Sequence, residues 1–127
     1  MFSHVVVGSN DIDRSKKFYD AVFSAVGGKP GATDAKGRLI YLHNGGLFMV
    51  SKPIDGKAAT HANGGTIGFT MASSEQADAW HKAGVANGGT TIEDPPGARR
   101  GGPIPMYLAY LRDPDGNKLC AFYRMPA

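Results

Sequence analysis

Hydrophobic and polar positions change period in the same order twice along the chain. Phe2 to Gly8 carries the β-branched run Val5, Val6 and Val7 ahead of a turn cluster, which predicts a strand. Ser9-Asn10-Asp11 then supplies short oxygen-bearing side chains suited to an N-cap. From Asp13 to Val26, Phe18, Ala21, Val22 and Ala25 recur at i, i+3, i+4 and i+7, the period of an amphipathic helix. Gly27-Gly28 stops it. Three further strands are expected, at about 29–34, Arg38 to His43 and Leu47 to Lys52, joined by glycine turns.

The second half repeats this order. Thr66 to Ala72 reads as a strand, Ser73-Ser74-Glu75-Gln76 resembles a capping box, and a helix to about Asn87 puts Ala77, Trp80, His81 and Gly84 on one side. Gly88-Gly89 ends it, and strands follow near Thr90 to Glu93, Met106 to Arg112 and Lys118 to Arg124. The expected organisation is one α+β domain over 1–127, made of two tandem βαβββ modules. Module 1 runs over about 1–55, a linker over about 53–65 and module 2 over about 66–127. A ferredoxin-like domain with added strands accounts for the first strand and helix, but leaves the paired Gly-Gly stops as coincidence.

Composition narrows the function classes. The 127 residues suffice for a real core, and 42% hydrophobic with 20% charged residues is globular usage. No apolar run approaches the roughly 20 residues that cross a bilayer, and no signal-peptide layout opens the chain. A cytoplasmic protein is expected. The lone Cys120 excludes a disulfide framework and Cys-pair zinc motifs. A formal charge of +3 is mild, and the only basic pairs are Lys16-Lys17 and Arg99-Arg100, so no nucleic-acid partner is expected.

Strand alternation sorts the candidate chemistry. It puts His4, Phe48, Val50, Thr66, Tyr110, Cys120 and Phe122 on one face of a single curved sheet. Val5, Leu47, Met49, Ile67, Phe69, Leu119 and Ala121 fall on the other, apolar enough for helices to cover. The first group mixes imidazole, hydroxyl, phenol and thiol with aromatics, as small-molecule sites do. His4 reads either as a ligand contact or as a hydrogen-bonded strand residue. Tyr110 reads as a donor or acid, or as an ordinary strand tyrosine. Cys120 reads as a half-buried, inert thiol. Arg99 and Arg100, in the Pro95 to Pro103 connection, are placed to hold a carboxylate or phosphonate unless that loop is simply solvated. His43, His81 and Trp80 are assigned to surface or packing.

Two stretches carry a family likeness: His4-Val5-Val6-Val7-Gly8 with Asp13-Arg14-Ser15 and Phe18-Tyr19, and Asp113-Pro114-Asp115-Gly116-Asn117-Lys118-Leu119. The chain resembles the vicinal oxygen chelate superfamily, which holds glyoxalases, extradiol dioxygenases and bleomycin-resistance proteins. The resemblance implies a cupped mixed sheet with helices outside, a ligand in the concavity and, often, a homodimer. It also implies metal ligands on the first and fourth strands of each module, which here fall on His4, Val50, Thr66 and Cys120. Only His4 and Cys120 are good ligands, with His61 able to reach in from the linker, so no metal site and no cofactor are expected beyond weak divalent binding. Two functions follow. One is a glyoxalase-related, lyase-type enzyme acting on a small anionic or aromatic metabolite, with His4 and Tyr110 catalytic and Phe48, Val50, Thr66, Arg99, Arg100, Cys120 and Phe122 binding. The other is a metal-free sequestration protein of the bleomycin-resistance type.

Overall fold

The computed structural model describes residues 1–127. Module 1 comprises β1 (Val5–Gly8), α1 (Ile12–Ser24), β2 (Ala32–Thr33), β3 (Leu39–His43) and β4 (Gly46–Ser51). Module 2 comprises β5 (Ile67–Thr70), α2 (Ser74–Ala86), β6 (Thr90–Thr91), β7 (Gly97–Arg99), β8 (Met106–Arg112) and β9 (Lys118–Arg124). The fold is α+β, and the strand orders β1-β4-β3-β2 and β5-β9-β8-β6 repeat one another. In each module the last strand returns parallel to the first.

The helix ends follow the repeat closely. Asp11 caps α1 by accepting from Arg14 N, and Ser73 caps α2 by accepting from Gln76 N. Gln76 Oε1 reaches back to Ala72 N, one residue outside the usual capping-box target. At the C-terminal ends, Gly27 and Gly88 take left-handed φ values of 85° and 99°. The next glycine amide then bonds five residues back, Gly28 to Phe23 O and Gly89 to Gly84 O, both at 2.8 Å.

Three differences from the sequence reading have local causes. The strand expected at 29–34 shortens to Ala32–Thr33, because the Gly31 amide donates to the Asp20 carboxylate instead of a ladder. Thr90 to Glu93 shortens to Thr90–Thr91, since Glu93 turns the chain at φ 59°. Inside the proline-rich connection a short strand, β7, forms unexpectedly and pairs with β8.

The strands form a mixed sheet of four in module 1 and one of five in module 2. Side chains from both sheets and both helices share a single core, among them Phe18, Phe23, Phe48, Val50, Trp80, Leu111 and Leu119. The covered faces therefore turn inward toward one another, and the uncovered faces point away. Gly84 lets the helices meet: a Cβ there would lie 2.3 Å from Leu111 Cδ1 and 3.3 Å from Phe18 and Val22.

The phase assigned to β4 needs correction. Phe48 and Val50 are core residues beneath α1, whereas Met49 is buried outside that core, on the open side with the exposed Val6. The turn glycines that match are Gly45 (φ 80°) and Gly116 (φ 91°), since β3 and β4 join through an Asn44-Gly45 two-residue hairpin. One residue of slip flips every side chain to the other face. The strand-four counterpart of Cys120 is Met49, and the registers agree: Val6 pairs Met49 as Gly68 pairs Cys120.

The Asp113–Asn117 turn clasps module 2 to the β1–α1 corner. Asp115 accepts from Asn10 N (2.9 Å), Arg14 Nη2 (2.9 Å) and Ser15 Oγ (3.2 Å). Tyr19 donates to Asp113 Oδ2, and Asn117 Nδ2 donates to that same oxygen and to Gly8 O. Asp113 takes part in no ion pair, and burial raises its carboxyl above the ordinary range despite these donors.

Candidate small-molecule site

The open face of module 2 gathers four of the expected residues. Tyr110 and Cys120 are direct cross-strand partners on β8 and β9, Phe122 lies two residues further on, and Thr66 immediately precedes β5. Gly68 pairs with Cys120, and a Cβ there would meet nothing within 4 Å, so free space flanks the thiol. Burial pushes the Cys120 thiol up, outweighing the nearby Tyr110 phenol, which works the other way, and Sγ donates to Ala121 O at 3.5 Å. Burial also raises the Tyr110 phenol, helped by Cys120 and by the negative charge of Glu93. Both groups therefore hold their protons at neutral pH, and the pair offers a donor and a soft, uncharged sulfur rather than a nucleophile. Lys118 sits with Nζ 5.2 Å from the Tyr110 ring centroid while paired to Glu93.

The remaining residues lie elsewhere. His4 is exposed just before β1, on the other sheet, with Nδ1 2.7 Å from Ser3 Oγ. Phe48 and Val50 are in the core. Arg99 is held in β7, where its guanidinium donates to the carbonyls of Gly97, Asp94 and Pro95. Those bonds hold its guanidinium against its own loop. Arg100 is exposed and makes no ion pair.

The resemblance implies a divalent metal, and the donors at its four positions do not fit one. With the corrected register they are His4, Met49, Thr66 and Cys120: one imidazole, one thioether, one hydroxyl and one thiol held protonated by burial. No carboxylate is among them, and within the chain His4 and Cys120 belong to different sheets.

A second concavity went unrecognised in the sequence. Between the modules, on the helix-covered side, a cleft of about 440 Å3 is lined by Phe23, Tyr41, Phe48, Phe69 and Trp80 among others. Helical spacing had marked Trp80 only as a buried face, and nothing in one strand's alternation shows that Phe69 would reach across to Phe23 and Phe48.

Comparison with known proteins agrees with this architecture. The family model described as Glyoxalase/Bleomycin resistance protein/Dioxygenase superfamily matches residues 1–121. A glyoxalase/bleomycin resistance protein from Albidiferax ferrireducens T118, known from its crystal structure, is similar at 56% identity and a TM-score of 0.93, over 98% of this chain and 99% of that one. Two more distant structures share the fold. One is a glyoxalase/bleomycin resistance protein/dioxygenase family enzyme from Burkholderia phytofirmans PsJN, with 17% identity, a TM-score of 0.71, and coverage of 97% and 98%. The other is a lactoylglutathione lyase from Agrobacterium tumefaciens, with 19% identity, a TM-score of 0.67, and coverage of 97% and 92%. No protein with a curated description matches the sequence. No helix is long and apolar enough to cross a membrane.

Proposed function

This chain belongs to the glyoxalase/bleomycin resistance protein/dioxygenase superfamily, and on that premise we propose that it binds a small aromatic or anionic molecule, without a metal, on the open face of module 2. The observation that carries the reading is the Tyr110–Cys120 pair, protonated and beside free space on a sheet face that no helix covers. The phenol O–H donates to a ligand oxygen, Phe122 and Leu108 supply apolar contact, and Thr66 borders the entrance. A homodimer suits this reading, because each chain leaves its two open faces pointing apart. A second copy's module 1 would bring His4, Leu47 and Met49 opposite Tyr110 and Cys120. The cytoplasm is the compartment that suits a protein with one unpaired thiol.

Small aromatic carboxylates (benzoate, salicylate, phenylglyoxylate) titrated by calorimetry in the presence of a chelator test the proposal. Saturable binding that is lost in Thr66→Trp and at least tenfold weaker in Tyr110→Phe supports it. Binding that requires added divalent metal, or binding by no member of the set, overturns it. Sedimentation at micromolar concentration tests the assembly, and a clean 13.4 kDa monomer counts against the dimer.

The alternative is a lyase-type, glyoxalase-related enzyme in which His4 and Tyr110 move the protons. It is favoured by the Lys118 ammonium near the Tyr110 ring, a cation beside a proton donor. Turnover of a 2-oxoaldehyde–thiol adduct, lost in both His4→Ala and Tyr110→Phe, would select it over simple binding.

A further inference from the structure

We infer that the cleft between the modules is a second small-molecule site, lined by none of Tyr110, Cys120 and Phe122, and that it takes an uncharged aromatic ligand. Its volume of about 440 Å3 falls in the ~300–1,000 Å3 range of small-molecule sites. The walls are rings contributed by both modules. Phe69 reaches from the edge strand β5 to lie edge-on to Phe23 at 5.7 Å and to Phe48 at 5.4 Å. Phe23 stacks on Tyr41 at 4.7 Å, and Trp80 closes the α2 side. This is an inlet bounded by strands and helices of both modules, so its shape suits a compact ring system.

Charge sets the ligand class. None of the 15 residues lining the cleft is Lys, Arg, Asp or Glu. An ion entering it would give up hydration with no counter-charge in return. The polar side chains in the lining are the Thr70 hydroxyl, the Asn44 amide and the His43 ring. Asn44 Nδ2 lies 3.1 Å from His43 Nε2. A single hydroxyl, amine or carbonyl on the ligand rim can be met by these groups.

Trp80, the only tryptophan, lines the cleft and reports its occupancy. The test titrates the protein with N-phenyl-1-naphthylamine, a neutral probe, and with 1-anilinonaphthalene-8-sulfonate, its sulfonated counterpart. Saturable quenching of Trp80 by the neutral probe is expected, with affinity at least tenfold weaker for the sulfonate. Gly46→Phe projects into the cleft from β4, where the nearest atom to a new Cβ is 3.5 Å away, and should weaken the neutral probe at least tenfold. Val26→Phe, from the end of α1, provides the same block should Gly46→Phe fail to fold by circular dichroism. Phe122→Ala on the open face should leave the neutral probe unaffected, which separates this site from the one proposed above. Absence of saturable quenching, equal affinity for the two probes, unchanged binding in the filled variants, or loss of binding in Phe122→Ala would each overturn the inference. Binding that weakens as protein concentration rises would do so as well, since a second copy would then be filling the cleft.

Discussion

Asp115→Ala tests whether the Asp-Pro-Asp-Gly-Asn turn is a clasp between modules. The Asp115 side chain is 1% exposed and accepts from Asn10 N, Arg14 Nη2 and Ser15 Oγ. Truncation deprives the buried Ser15 hydroxyl of one partner, although Ser9 Oγ remains 2.6 Å away. It also leaves the Asn10 amide without the acceptor that ties it to module 2. Arg14 is 48% exposed, so water replaces its lost carboxylate and the ion pair itself contributes little. Losing a buried charged acceptor with two remaining donors costs about 3 kcal/mol. Arg14→Ala, which leaves both of those donors in place, should cost about 1 kcal/mol. Urea unfolding at fixed protein concentration measures both as midpoint shifts at constant m-value. A loss below about 1 kcal/mol for Asp115→Ala would refute the clasp. Equal losses in the two variants would show that the ion pair, rather than the amide and hydroxyl contacts, holds the corner.

Three further outcomes are expected. Elemental analysis of protein purified without added metal should find well below one divalent ion per chain, and stoichiometric metal that survives dialysis and is lost in His4→Ala would contradict the donor argument. Phe69→Asp should destabilise by about 3 kcal/mol or more, because it puts a charge among Phe23, Phe48 and Trp80. The exposed Thr66→Trp should leave the unfolding midpoint nearly unchanged, and the reverse pattern would mean that the covered and open faces are swapped. At Asp20, burial raises the carboxyl, but hydrogen bonds from the Gly31 amide, Lys16 and Tyr41 outweigh it and hold it below the ordinary range. A depressed folded pKa gives stability that is present above the unfolded value of ~3.9 and lost as pH falls through the folded one. Asp20→Asn should therefore flatten the acid end of the stability–pH curve, and an unchanged slope there would show that the carboxylate is not the group responsible.

The repeat was the most legible feature of the sequence, because it rests on local signals that tertiary contacts reinforce. The Gly27 and Gly88 stops are forced by left-handed φ, and the Asp11 and Ser73 caps by unpaired helix amides. Strand ends were less legible, because they depend on distant partners. Nothing near Gly31 announces that its amide belongs to Asp20, eleven residues earlier. How the two modules pack against each other was illegible for a related reason. Each βαβββ unit reads the same whether its helix covers the outside of one cup or packs against its twin, and Gly84 shows its purpose only once Leu111 and Phe18 stand beside it. Arg99 read as a free cation because its carbonyl partners are main-chain groups, which sequence does not display.

The slip in β4 shows which conclusions about the site depend on register and which do not. The strand-four position read as Val50 falls on Met49 once the modules are matched at their turn glycines, Gly45 and Gly116. That change matters for packing, since Val50 is fully buried beneath α1 and a bulky or charged replacement there would damage the core. It matters for any ligand too, because Met49 gives the open face of module 1 an adaptable thioether where an inert methyl pair had been read. The metal argument does not turn on it. Phe48, Met49, Val50 and Ser51 contain no carboxylate or imidazole, so no register of this strand places a strong ligand for a hard or borderline divalent ion there. On β9 the residues flanking Cys120 are Leu119 and Ala121, so Cys120 is the one ligand-bearing side chain there. The donors at the four positions are thus one imidazole, one hydroxyl and two soft sulfurs, with no carboxylate among them. Hydrogen bonding and shape, rather than Lewis acidity, are what these residues can supply to a ligand.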